Sequence, residues 1–247
     1  MVKLELELTN IYPMLGTVSA NPNITSEYIA SLAPNAEKKK EEIERIGLQE
    51  YEEKQKTVFL RDTDGTPVIS EHMIRGFLKN AAQAMNQVSG SKTKSLKAHT
   101  KAITRSIFIK ERFIRINVDP KEIKTNQRPL RISNGPGSGS ERVALAYSEE
   151  IPAGKTMRFT MYVLEESLLP YVKEWLDYGV FCGLGQWRNA SYGKFVWTAI
   201  NEVKGLPIDE AREAIIRNAL SQENIGNPKV DKDSAYVNID KKSILVK

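Results

Sequence analysis

Gly183-Leu-Gly-Gln-Trp-Arg-Asn-Ala-Ser-Tyr-Gly-Lys-Phe195 places three glycines, two cations and three aromatic rings within thirteen positions. Before it, residues 165–178 carry Leu168, Leu169, Val172, Trp175 and Leu176 at helical spacing, with Gly179 as a helix-end residue. After it, residues 194–200 read as a strand. A helix therefore hands over to the last strand of the fold through a flexible, basic, aromatic loop.

Upstream, residues 155–164 alternate Met157, Phe159, Met161 and Val163, a half-buried strand entered through the turn Ile151-Pro-Ala-Gly154. Residues 106–118 form an earlier strand with an irregularity near Glu111-Arg112. Ser70 stands as the N-cap of a helix whose apolar face is Ile74, Phe77, Leu78, Ala81, Met85 and Val88. Residues 87–101, polar around Gly90, read as a loop or a frayed helix end. Residues 57–60 and Val68-Ile69 make a short hairpin about Asp62-Thr-Asp-Gly65, whose glycine takes positive φ. The chain opens on a strand, Val2, Leu4, Leu6 and Leu8 sharing one face.

Two insertions interrupt this order. Residues 18–56 are charged and helix-prone, and residues 119–150 form a basic excursion through Arg128-Pro-Leu-Arg131 and Asn134-Gly-Pro-Gly-Ser-Gly139, returning as a strand over 143–147. Without them the order is β-α-β-β-α-β. That predicts an α+β, ferredoxin-like (RRM-like) core: an antiparallel sheet with both helices on one face and the other face free to bind. Residues 1–200 are expected to form this palm, with a helical insertion at 18–56 and a thumb-like hairpin at 119–150. Residues 201–247 add a helix near 208–220 and a polar tail packing on the core or extending from it.

The net charge of +5 hides an uneven distribution. Between Lys92 and Arg131 stand twelve Lys or Arg against Glu111, Asp119 and Glu122, leaving 24 bases and 28 acids elsewhere. A basic block in a near-neutral body is either a footprint for a polyanion, bound through phosphate neutralisation, or a solvated lysine-rich surface. A single cysteine, Cys182, excludes a disulfide framework and a cysteine-based zinc cluster. The N-terminal alternation is unlike a signal peptide and no run approaches 18 apolar residues, which predicts a cytoplasmic protein without a membrane partner.

Asp62-Thr-Asp-Gly-Thr-Pro-Val-Ile69 followed by Ile74-Arg-Gly-Phe-Leu-Lys79, together with Ile151-Pro-Ala-Gly154 and the late glycine-rich loop, resembles the RAMP superfamily of CRISPR-associated proteins over roughly residues 1–200. The size and the two insertions look most like the backbone subunits that polymerise along CRISPR RNA. Where that superfamily has Pro-Gly-Ser-Ser before the helix, this chain has Ser70-Glu-His-Met73, and its glycine arrives at Gly76. Glu71 opposes an anion there, while Arg75 and Lys79 match the family's basic positions. Target-cleaving backbone subunits carry an aspartate before the first hairpin strand; here Gln55 or Lys56 holds that place, which argues against target cleavage by that route.

The resemblance implies a subunit without catalysis of its own that binds single-stranded RNA, a guide and possibly a target strand. It also implies association with its own copies and with other effector subunits. Candidate contacts are Gly183, Gly185, Trp187, Arg188, Tyr192 and Lys194 in the loop, Arg128, Arg131 and Arg142 in the hairpin, and Arg75, Lys79, Lys97, Lys101 and Arg105 elsewhere. Trp187 and Tyr192 either offer stacking faces or close the core, and Phe195 reads as core. Chemistry-bearing patterns are sparse. Asp62 and Asp64 suit a turn better than a metal, no metal or other cofactor is implied, and His99 is the one plausible general base. A guide-processing endoribonuclease centred on His99 and a protein-only interaction module stand as the alternatives.

Overall fold

The computed structural model describes residues 1–20, 56–132 and 142–221. The expected helical insertion falls mostly on residues 21–55, outside the described residues, as do the glycine-rich hairpin tip at 133–141 and the tail at 222–247.

Strand β1 (Val2–Asn10) buries alternate residues, with Val2, Leu4, Leu6 and Leu8 fully enclosed. It lies between β11 (Thr156–Val163) and β12 (Phe195–Val203), antiparallel to both, with Leu4 opposite Met161 and Leu8 opposite Met157 and Trp197. The main sheet continues from β11 to β8 (Phe113–Asn117), β6 (Pro67–Ser70) and β5 (Leu60–Arg61). Strand β7 (Ile107–Ile109) pairs with the far half of β11. The architecture is α+β, with mainly antiparallel sheets and a few helices.

Two helices cover one side of this sheet. Helix α1 (Glu71–Met85) buries Ile74, Phe77, Leu78, Ala81 and Ala82, whereas Val88 lies past its end and is exposed. Ser70 is its N-cap residue by position, but the Ser70 hydroxyl meets His72 Nδ1 at 2.8 Å and makes no capping bond. Helix α3 (Leu169–Asp177) begins later than its periodicity suggests, because Glu166–Leu168 is a 3-10 turn and Pro170 sets the first helical turn. Phe77 meets Phe195 edge-on at 4.9 Å, locking the helical layer to β12.

The polar stretch read as a loop over 87–101 contains the 3-10 turn Lys92–Ser95 and the start of helix α2 (His99–Ser106), whose last residue, Ser106, was expected to open the strand. Strand pairing accordingly starts at Ile107 and breaks between β7 and β8, at the irregularity foreseen near Glu111-Arg112. The turn is held by Glu174 on α3, which accepts from the backbone of Lys92 (2.8 Å) and Thr93 (2.9 Å) and from the hydroxyls of Ser91 and Thr93. Trp175 Nε1 donates to Thr93 Oγ1 at 2.8 Å, so the chain bonds itself across 82 residues of sequence.

The excursion at 119–150 is a two-stranded ribbon, β9 (Lys124–Ile132) against β10 (Arg142–Ile151), running about 30 Å at the usual antiparallel rise. Its base joins a second, small sheet with β2 (Met14–Leu15), β4 (Thr57–Val58) and β3 (Val18–Ser19). Pro129 is tolerated because β9 is an edge strand. Beyond β12, helix α4 (Ile208–Ser221) is the last described element.

Burial pushes the Glu174 carboxyl up, but its four donors outweigh this and hold it below the ordinary glutamate range. A depressed carboxyl stabilises the fold above its unfolded value, about pH 4.3, and that contribution is lost as pH falls further. Glu174→Gln should cost about 1–3 kcal/mol in urea denaturation at neutral pH. The gap between variant and wild type should close as the pH is lowered below about 4.3.

Candidate nucleic-acid interface

After α3 the chain turns through Tyr178–Val180 and enters the glycine loop. Leu184 is buried as its anchor. Its amide donates to Gly193 O at 3.0 Å, and Gly193 N donates to Pro13 O at 2.7 Å. The two limbs of the loop cross so closely that a Cβ on Gly183 would lie 2.3 Å from Tyr192 O. Gly185, at φ +86°, would place its Cβ 2.7 Å from Leu15 O. These glycines, expected to admit phosphates, are thus taken up by the loop's own packing against itself and β2. Trp187 and Ser191 hold left-handed backbone around the 3-10 turn Arg188–Ala190, a conformation costly for non-glycine residues.

The ribbon meets the loop along its base. Arg128, on β9, is 7% exposed; its Nη1 donates to Ser148 Oγ (3.1 Å), its Nη2 donates to Gln186 Oε1 (3.2 Å), and its Nε is buried without a partner. The guanidinium lies over the Trp187 ring, 4.6 Å from its centroid. Trp187 stacks on Tyr192 at 5.8 Å, and the Tyr192 hydroxyl accepts from Asn126 at 3.2 Å. Thr57 Oγ1 and Ser148 Oγ are 2.6 Å apart, with Gln186 Oε1 3.4 Å from Thr57. Burial lowers the Arg128 pKa, opposed by Tyr192, yet arginine stays charged at neutral pH.

Arg188 is half-buried and Trp187 is 39% exposed at the rim of this seam, where residues Gly185, Gln186, Trp187, Arg188 and Asn189 line a cleft of about 350 Å³. Lys194 lies over the Tyr12 ring at 5.6 Å. Arg131 and Arg142 occupy tip-end ribbon positions, opposite Val143 and Ile132. Phe195 is fully buried, as expected. Sequence reasoning missed Gln186, Asn126, Ser148 and Thr57, four neutral side chains whose partners lie 20 to 129 residues away.

The remaining candidates sit elsewhere. Residues 106–107 adjoin the Val163 end of β11, while the glycine loop adjoins its Thr156 end through Asn10 and Lys155. The eight residues of β11 separate the two by about 25 Å. At that far end Arg75 donates to Thr104 O at 3.4 Å and pairs with Glu71 at 3.8 Å. Lys97, Lys101 and Arg105 are exposed, and Lys79 is half-buried on α1. His99 opens α2, half-buried, behind the left-handed Ala98.

The face opposite the helices is not the open platform expected. Lys3 pairs with Glu5 there, and Glu7 with Arg158. Helix α4 crosses one end of it: Tyr162 is 2% exposed, Ala211 is buried, and Asn218 donates to Lys110 O at 2.8 Å. Asp62 and Asp64 serve their turn, Asp62 Oδ1 accepting from the amides of Asp64 and Thr66, and both carboxylates pair with Arg115. Burial pushes Asp62 up, while hydrogen bonds from Asp62 and Thr66 hold Asp64 well below the usual range. Among the described residues no group of three or more His, Cys, Asp or Glu is placed to hold a metal ion, and no helix is long and apolar enough to cross a membrane.

No protein-family model matches the chain, and no curated protein matches it. Among solved structures it is similar to a chain in the cryo-EM structure of the Type III-B Cmr-beta bound to cognate target RNA. Identity is 12% and the TM-score 0.47, over 82% of this chain and 61% of that one. The chain therefore spans about three-fifths of the length of that neighbour.

Gly185→Ala should destabilise the protein by about 2 kcal/mol or more, since the methyl meets the Leu15 carbonyl in a backbone that already disfavours it. Gly154→Ala, at φ +84° with nothing within 4 Å, should cost only about 1 kcal/mol. Chemical denaturation of both variants measures the difference, which is the packing contribution of the loop.

Proposed function

We propose that this protein is a non-catalytic, single-stranded RNA-binding backbone subunit of a CRISPR-type ribonucleoprotein. It has a ferredoxin-like palm and a thumb-like ribbon, and it polymerises along a guide RNA in the cytoplasm beside other effector subunits. The observation that carries this reading is the seam where ribbon and glycine loop converge: a charged guanidinium, two stacked rings and a rim cation gathered from segments distant in sequence. Such a set grips backbone and base without base-specific readout. The strand order β12-β1-β11-β8, with α1 and α3 on one side, supports the ferredoxin-like reading, and the RAMP-like motifs support the CRISPR assignment.

Charge supports it further. Lys92, Lys94, Lys97, Lys101 and Arg105 are exposed with no ion-pair partner among the described residues, so their field is available to a polyanion. Exposed Ile11, Tyr12, Val180 and Phe181 supply apolar surface for self-association.

Filter binding should show that the purified protein retains single-stranded RNA. Neutralising about five phosphates should drop affinity on the order of a hundredfold between about 50 and 200 mM salt. Affinity that is flat with salt would count against phosphate-led binding. The RNA should be recovered uncut, and light scattering should detect larger particles on RNA addition; a discrete cut abolished by His99→Ala would instead favour the endoribonuclease.

A further inference from the structure

We infer that the outer edge of β12 pairs with the same edge of a second copy of this chain, antiparallel about a twofold axis, forming a dimer that needs no RNA. This goes beyond the RNA-binding reading and does not depend on it. Strand β12 ends the main sheet: β1 lies along one side, and among the described residues no strand lies along the other. Its nine residues leave about 30 Å of ladder facing outward. The other sheet edges are guarded. Strands β5 and β3 are two residues long, and β9 carries Pro129 with Lys124, Arg128 and Arg131. By contrast, Phe195-Val-Trp-Thr-Ala-Ile-Asn-Glu-Val203 has no proline, lysine or arginine, and Val196 and Ile200 are exposed along it. Its single charge, Glu202, is held by Lys173 at 2.8 Å.

A second copy fits this edge because the edge is complementary to itself. Turned about a twofold axis through the sheet, an antiparallel edge sets donors against acceptors and each face beside the same face. With Glu202 neutralised by Lys173, no unpaired like charge meets its counterpart. The register shift against β1 beside Ile200 falls next to the strand's midpoint, Ala199, so each bend meets its equal. The turn Tyr178–Val180 packs on the Phe195 end, where a Cβ on Gly179 would lie 2.6 Å from the Phe195 ring, and next to it Phe181 is 70% exposed. An edge of this length, about 10 Å deep, together with that ring amounts to on the order of 500 Å² per copy, so a pair reaches about 1,000 Å², where specific interfaces begin. A twofold contact closes on itself, so growth along RNA falls to other surfaces.

Sedimentation equilibrium of the full chain without RNA should show the average mass rising with concentration from one chain towards two. The rise should be the same at about 50 and 500 mM salt, because no unpaired charge lies on the edge. Val196→Lys combined with Ile200→Lys, at two positions already exposed, should weaken the association about tenfold or more while leaving the melting temperature of the dilute protein within about 2 °C of wild type. Hydrogen exchange on the wild type gives a readout free of substitution: the β12 amides that do not bond to β1 should become protected only as the dimer forms. A wild type that stays monomeric at high concentration overturns the inference, as does a dimer that the two lysines leave intact. Outward β12 amides already protected in the monomer overturn it too, since a segment of the same chain would then cover the edge. Association that appears only with RNA would overturn the dimer and leave the filament reading standing. An RNA-independent dimer that retains no RNA would sustain the dimer and refute the RNA reading instead.

Discussion

The central strand β1 is the constraint on which the remaining architecture depends. Paired along both edges, it has no free ladder groups to offer, so β11 and β12 are fixed in register on either side. Its alternation then assigns the two faces, because a one-residue slip would turn Leu4, Leu6 and Leu8 outward. The helices have to cover that apolar side, and every connection between helix and strand has to pass around an end of the sheet. The glycine loop is the connection from α3 to β12, which puts it at the Asn10 end, beside the base of the ribbon.

Close approach at that end is bought with glycine and produces a rigid junction. Crossing limbs at Gly183 and Gly193 leave no volume for side chains, and the strained backbone at Trp187 holds its ring against Arg128. The ribbon is therefore tied near its root by hydrogen bonds from Arg128 and Asn126, while Lys56 adds a bond to Thr125 at 2.7 Å.

Period and position were legible in the sequence; partnership was not. The alternation of β1 and β11, the apolar faces of α1 and α3, the Gly65 turn and the loop's place before the last strand follow from local spacing, and the structure carries them all. Helix α2 escaped because its eight residues offer a single fully buried apolar side chain, Ile103, and it opens on a left-handed alanine no propensity suggests. Arg128 looked like a surface cation because it adjoins Pro129 in a basic stretch; its burial depends on Ser148 and Gln186, brought to it only by tertiary folding. The glycines misled in the opposite sense, since composition cannot distinguish a backbone that approaches phosphate from one that approaches its own carbonyls.

Charge decides which surface of such a sheet can meet a polyanion. Sheets that read RNA on their open face stack bases on exposed aromatics of the central strands. On that side β1 carries Lys3, Glu5, Glu7 and Thr9, and β11 carries Thr156, Arg158, Thr160 and Tyr162. The one aromatic among them, Tyr162, is buried, and Glu5 and Glu7 are already paired. Carboxylates in place of rings, with α4 across one end, remove both the stacking and the electrostatic reason for a strand to lie there. The candidate contacts of the glycine loop and of α2 lie instead at the two ends of the sheet, about 25 Å apart along β11. A phosphate chain meets unpaired cations at those ends, whereas on the face between them the charges of Lys3, Glu5, Glu7 and Arg158 cancel in pairs.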